Sequence, residues 1–255
     1  MSKIASIAAL TLREALRQKL AVNLLVFAVL LIAGSITISE LTFGEQYRII
    51  SDLTLTSAQI FGTLIAVFVG GGLVAGDLQR RTLFPVLAKP VSRTQYVVGR
   101  YLGLLVTLTL NLTVMAAASL AVLAVYTGGL GFLATSPFAS AFVGVLAQLA
   151  VVSAIAIFFS AVTNSTLAAI FTLFLTFAGH LSRGFAAYWE GEGHRAVQAL
   201  SYVIPGLAAL DYKVNLVYQA PVPLPQLTWT LLYAGLYATL AIALAALLFN
   251  RRDLH

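Results

Sequence analysis

"LTLTSAQIFGTLIAVFVGGGLVAG", residues 53–76, runs for 24 positions without an Asp, Glu, Lys or Arg. As a helix it reaches about 36 Å, enough to cross the roughly 30 Å hydrocarbon core of a bilayer. A barrel strand would alternate polar and apolar residues over about 10 positions, whereas this stretch is apolar on every face. It is therefore a membrane-spanning helix, and the fold follows from counting its equivalents. Within it, Gly72 and Gly76 form a small-xxx-small pair suited to close helix packing.

Working outward, residues 20–39 form another charge-free run, and so do residues 101–182. The longer run divides by turn chemistry at "TGGLGFLATSP", 127–137, and at the polar "TNST", 163–166. Spans are thus expected at 20–39, 53–76, 101–126, 138–162, 167–181 and 226–250, the last closed by Arg251 and Arg252. The fifth is short, below the usual minimum of about 17 residues, so it is either broken or finishes at the interface. The sequence predicts an all-α membrane protein of one domain, 1–255, with six transmembrane helices. Composition agrees: 60% of residues are hydrophobic and 9% charged, with a mean hydropathy of +0.95, far from soluble domains.

The chain starts with an amphipathic segment, 1–19. Ile4, Ile7, Ala8, Leu12, Ala15 and Leu16 share one helical face, and Lys3, Arg13, Glu14 and Arg17 the other, with Leu10 the exception. Such a helix suits the headgroup plane, its basic face toward anionic lipid; a cytoplasmic leader and a signal peptide are the alternatives. Six spans put both termini on one side. Eleven of the fifteen basic residues fall there, while Arg48, Arg183, Arg195 and Lys213 fall opposite with six of the nine acids, so the termini are expected in the cytoplasm. Trp189, Trp229, Tyr126, Tyr233, Tyr96 and Tyr101 lie near expected span ends, as interfacial aromatics do.

Several chemistries are missing. No G-x-x-x-x-G-K-[ST] phosphate loop, H-E-x-x-H or G-x-S-x-G occurs, there is no cysteine, and His180, His194 and His255 are too scattered in sequence for a metal cluster. The chain is not expected to act as an enzyme or to bind a metal. The expected spans hold no Asp, Glu, Lys or Arg that could bind a coupling ion, and His180 reads as an interfacial residue. Gln59, Thr107, Thr109, Asn111, Thr113, Gln148, Ser153 and Ser160 are polar but uncharged; interhelical hydrogen bonds account for them, with Gln59, Asn111 and Gln148 the alternative candidates for a substrate path. Energy for any transport must then come from another subunit.

The longest cytoplasmic connection, 77–100, carries Arg80, Arg81, Lys89, Arg93 and Arg100. Positive-inside topology explains its charge but not its order. Pro85 and Pro90 bracket "VLAK", and Ser92 is placed to cap a helix that continues through Tyr96 into the third span. This describes a short surface helix between turns.

At these residues the chain resembles the type-2 ABC transporter permeases, in particular the branch associated with multicopper enzyme maturation, which includes the copper-delivery system of nitrous oxide reductase. The likeness is carried by Asp77, Thr82-Leu83, "KPVSR" at 89–93 and Gly99-Arg100. It extends to "LREALRQK" at 12–19 and "LSYVIPGLAALDYK" at 200–213. Asp77 stands where Glu is more usual, Arg81 where Gly commonly precedes the threonine, and Arg100 where Lys is found.

The resemblance implies a permease subunit that pairs with a second or related copy and sits in the cytoplasmic membrane on two ABC ATPase subunits, which carry ATP and Mg. It implies that residues 83–89 form the coupling helix. Asp77, Arg80, Arg81, Thr82, Leu83, Phe84, Pro85, Lys89, Pro90, Ser92 and Arg93 would make up the coupling loop. The extracytoplasmic segment 182–225, with "YWEGEGHR" and "APVPLPQ", would hold short helices closing the exit, with or without substrate contact. Partners are the ATPase, the other permease copy and membrane lipids, not nucleic acid. A scaffold that anchors a cytoplasmic partner and a stand-alone carrier or channel are the alternative functions. The uncharged interior favours lipidic, apolar or small neutral cargo.

Overall fold

A computed structural model describes residues 3–40, 45–79, 92–134, 136–188 and 204–251. Among them lie eight α-helices and no strand: α1 (Lys3–Arg17), α2 (Lys19–Glu40), α3 (Gln46–Gln79), α4 (Arg93–Thr127), α5 (Phe138–Val162), α6 (Ser165–Tyr188), α7 (Lys213–Val217) and α8 (Leu224–Arg251). Short 3-10 turns occupy Gly131–Ala134 and Leu207–Leu210. Of these, α2, α3, α4, α5 and α8 are each long and apolar enough to cross a membrane, and the apolar part of α6, Ser165–Leu181, is shorter.

Helix ends follow the chemistry of the chain. Ser92 and Gln95 form a reciprocal capping box at the start of α4: Ser92 Oγ accepts from the Gln95 N–H, and Gln95 Oε1 accepts from the Ser92 N–H, both at 3.2 Å. At the other end of α4, Gly128 takes the left-handed conformation (φ 74°) that terminates a helix cheaply. Asn164 caps α6 by accepting from the Leu167 N–H at 2.9 Å.

The long helices run farther than the charge-free spans. α3 begins at Gln46 rather than 53 and ends at Gln79, so Asp77 belongs to the helix and not to the connector; α4 begins at Arg93 rather than 101. Backbone hydrogen bonding continues beyond the depth at which charged side chains are excluded.

At the core is α5, packed against α3 and α8 most extensively. Gly62 and Gly70 of α3 allow this approach: a Cβ at Gly62 would lie 2.7 Å from a Leu149 methyl, and one at Gly70 would lie 2.9 Å from Ala156 Cβ. The expected pair Gly72 and Gly76 is packed less closely among the described residues: a Cβ at Gly76 would meet nothing within 4 Å, and one at Gly72 would meet Ser165 Oγ at 3.5 Å. A hydroxyl adds a specific tie: Ser160 of α5 accepts from the backbone N–H of Val74 (3.1 Å) and Ala75 (2.9 Å) and donates to the Gly71 carbonyl (2.8 Å).

α1 packs along the first turns of α4, with Ile7, Thr11 and Ala15 buried. Its neighbour on that face is thus a helix and not lipid alone. Gly99 and Gly103 form the groove, because a Cβ there would come within 2.7 Å of Ile7 Cβ and 2.5 Å of Thr11 Cβ. At the opposite end of the bundle, Leu207, Leu210, Tyr212 and Leu216 are buried as a cap against α5, α6 and α3. Tyr212 donates to Thr230 Oγ1 (2.7 Å) and Lys213 Nζ pairs with Asp52 (2.9 Å).

Candidate functional site

Two polar clusters interrupt the apolar interior. The first lies at the end of the bundle where α1, the close of α3, the start of α4 and the close of α8 meet. Arg100, on the second turn of α4, is only 3% exposed. A guanidinium stays charged, and burying it is tolerable only with close anionic partners. Arg100 has two, Asp77 of α3 and Glu14 of α1. Its Nη1 also lies 3.3 Å from Thr11 Oγ1, its Nε lies 3.3 Å from the Tyr96 hydroxyl, and that hydroxyl donates to the same Asp77 carboxylate. One cation thereby joins three helices.

This corrects the expectation that Arg100 faces the cytosol with the other connector cations, and that Tyr96 and Tyr101 are interfacial. Tyr96 is buried and stacks on Phe249, and Tyr101 donates to the Ala150 carbonyl at 3.2 Å. α1 covers Arg100, through Thr11 and Glu14, while α8 and α5 receive Tyr96 and Tyr101. Trp229 and Tyr126 are exposed, as expected of belt residues.

Arg93 donates through Nη1 to the carbonyls of Phe249 (3.1 Å) and Asn250 (3.2 Å), at the carboxyl end of α8. Those carbonyls lie in the last turn of the described helix, at the negative end of its dipole. Of the residues assigned to coupling, Asp77, Ser92 and Arg93 thus frame the connector, while Arg80, Arg81, Thr82, Leu83, Phe84, Pro85, Lys89 and Pro90 lie outside the described residues. Beside the frame is a cavity of about 780 Å³ bordered by Glu14, Arg17, Gln18, Asp77, Arg100 and Ser165.

The second cluster lies at membrane depth. Gln59 Nε2 of α3 donates to Gln148 Oε1 of α5 at 2.8 Å, and both amide nitrogens approach His180 Nε2 of α6, at 3.2 and 3.1 Å. His180 Nδ1 faces the Thr176 carbonyl at 2.9 Å. Gln148 is fully buried, and a cavity of about 390 Å³ opens beside the cluster. Gln59 and Gln148, two of the three candidate path residues, therefore come together; Asn111 is buried on α4 and does not border this cavity.

His180, expected as a lone interfacial residue, instead meets Gln59, Gln148 and the Thr176 carbonyl. The signal was spacing: Thr172, Thr176 and His180 recur every four residues on α6, and Thr56, Gln59 and Thr63 follow one face of α3. Thr107, Thr109, Thr113 and Ser153 bond to carbonyls of their own helices, whereas Gln59, Gln148 and Ser160 form side-chain ties between helices. Among the described residues no group of three or more His, Cys, Asp or Glu could hold a metal.

Compared with known families, the sequence matches the ABC-2 family transporter protein over residues 5–254. The chain belongs to the ABC-2 transporter family. No curated protein matches it. As an ABC-2 permease it is a multi-pass integral protein of the cytoplasmic membrane and the transmembrane component of an ABC transporter. In this permease, the segment that leaves α3 after Gln79 and enters α4 at Arg93 is anchored at both ends: Asp77 holds Arg100 and Tyr96, and Arg93 holds the end of α8.

Proposed function

We propose that this permease is the membrane subunit of an ATP-driven exporter, assembled with a second permease copy and two cytoplasmic ATPase subunits that carry ATP and Mg. The observation that carries the reading is the frame around the connector. A docking segment transmits force only if its attachments resist bending, and here the two helices it joins are locked to each other and to α1 through Arg100. Movement of residues 83–89, as the ATPase pair closes, would then displace α1, α3 and α4 together rather than dissipate in one helix. The basic connector faces the cytoplasm in this arrangement, and export is the direction favoured by the family likeness at "KPVSR".

The test is co-purification. ATPase subunits expressed with this chain are expected to remain bound through detergent extraction, and to be lost when residues 83–89 are scrambled while the helical content is kept. Flux through vesicles that contain this chain alone, without ATP, overturns the proposal in favour of a carrier. Full biological activity with hydrolysis-dead ATPase overturns it in favour of a scaffold.

A further inference from the structure

The hydrogen-bond inventory of the membrane-depth cluster is incomplete in a specific way. A carbonyl can only accept, so His180 Nδ1 carries the proton toward Thr176 O, and the single lone pair of Nε2 is shared between the amides of Gln59 and Gln148. Both protons of Gln59 Nε2 are then used, while its Oε1 accepts from no described group. Gln148 uses its oxygen and one amide proton and retains the other. Thr176, 5% exposed, has a buried hydroxyl with no partner, whereas Thr172 one turn earlier donates to the Ala168 carbonyl. The chain therefore holds spare acceptors and donors side by side at the wall of the cavity, where lipid tails cannot satisfy them.

The cavity sets the class of molecule that could. Gln59, Gln148 and His180 line it together with apolar Ile60, Leu64 and Leu173, and Asp211 borders it too, with Oδ1 already accepting from the Lys213 N–H at 2.9 Å. Lys213 Nζ is committed to Asp52 and Thr56. Among the described residues that border the cavity the one formal charge is the Asp211 carboxylate, which disfavours an anion, and the spare groups on its wall call for a neutral head that both donates and accepts, with room for an aliphatic attachment.

We propose that this cleft between α3, α5 and α6 is a binding site for an uncharged hydroxyl-bearing head group, of which the glycerol moiety is the simplest case, either free or attached to an acyl chain. The site is the cargo site of the exporter, and in that respect rests on the permease reading. One hydroxyl donates to Gln59 Oε1, and its own oxygen or a neighbouring hydroxyl accepts the spare Gln148 proton. His180 positions both amides.

The chain has three histidines, which makes nitrogen-15 histidine spectra of the full protein in phosphatidylcholine nanodiscs a direct readout. Three probes are titrated: 1-monooleoylglycerol, free glycerol, and methyl oleate, which lacks hydroxyls. The His180 Nε2 resonance is expected to shift saturably with monooleoylglycerol and not with methyl oleate. A matching response to glycerol identifies a water-borne head group, and its absence a lipid-borne one. Gln59→Leu is expected to raise the half-saturating concentration about tenfold, the worth of one hydrogen bond. Thr63→Val, at the cavity edge and outside the histidine network, is a milder variant that keeps the measurement interpretable if Gln59→Leu fails to fold. No shift with either hydroxyl probe, an equal shift with methyl oleate, or a midpoint unchanged in Gln59→Leu overturns the site. Because no ATPase takes part, the two readings separate: a retained ATPase without a shift removes only this site, and a shift without any ATPase partner removes only its role in export.

Discussion

Arg100 concentrates more consequence than any other side chain described. Replacing it with leucine takes from Asp77 and Glu14 the buried guanidinium they share, and Arg100→Leu is expected to cost about 3 kcal/mol, the low end of the penalty for breaking a buried pair, because the Glu14 side chain is 45% exposed. Asp77→Leu combined with Arg100→Leu is expected to recover most of that loss, because a desolvated pair can be exchanged for apolar packing at little net cost. Unfolding of the detergent-solubilised protein by denaturant checks both. If the frame transmits force, the stable double variant still loses coupled transport. Ser160→Ala removes the hydroxyl that joins α5 to the backbone of α3, with an expected cost of about 1–3 kcal/mol in the same assay. Neither residue could be ranked from the sequence: Arg100 is one of five cations in the connector region, Ser160 one of many serines, and what distinguishes them is the partner each meets from a distant helix.

Among the elements, α1 depends most on a single groove. Gly103→Leu is expected to displace α1 from α4, since even a Cβ there would lie 2.5 Å from Thr11 Cβ. Hydrogen exchange within Lys3–Arg17 checks this, with protection expected to fall while that of α5 stays unchanged. "GRYLG", 99–103, is itself a G-x-x-x-G motif, so this contact is written in the chain, although the motif does not say which helix fills the groove. Helix starts that depend on local chemistry, the Ser92 cap and the Asn164 turn, were legible. The beginning of α3 was not, because Glu45, Arg48 and Asp52 rule out bilayer depth without ruling out helix; Glu45 and Arg48 pair at 2.7 Å. The His180 cluster was half legible: its glutamines stood out as costly residues in spans, and only the fold shows that both aim at one imidazole.

For the whole molecule, the distribution of charge and the charge-free runs sufficed to derive an all-α membrane protein, because the bilayer imposes the same constraint on every span. Which helices touch did not follow, since an apolar surface carries no address. The absence of cysteine makes orientation simple to test by single-cysteine labelling. Val86→Cys in the connector is expected to react with a membrane-impermeant maleimide only after the cytoplasmic side is opened, and Leu130→Cys, between α4 and α5 and 59% exposed, in intact cells. The reverse pattern removes the docking segment from the ATPase side.

The cap over the far end of the bundle rests on two glycines. A Cβ at Gly144 would lie 2.6 Å from the Leu210 carbonyl oxygen, and one at Gly179 would lie 2.5 Å from that of Pro205. Backbone oxygens cannot rotate aside as a side chain can, so drift at these sites has nowhere to go. Where this architecture recurs across species, positions equivalent to 144 and 179 should stay glycine while nearby lipid-facing residues vary freely. An exception should coincide with a shortened or altered segment at 204–212, a covariation that genomes can reveal without an experiment on the protein.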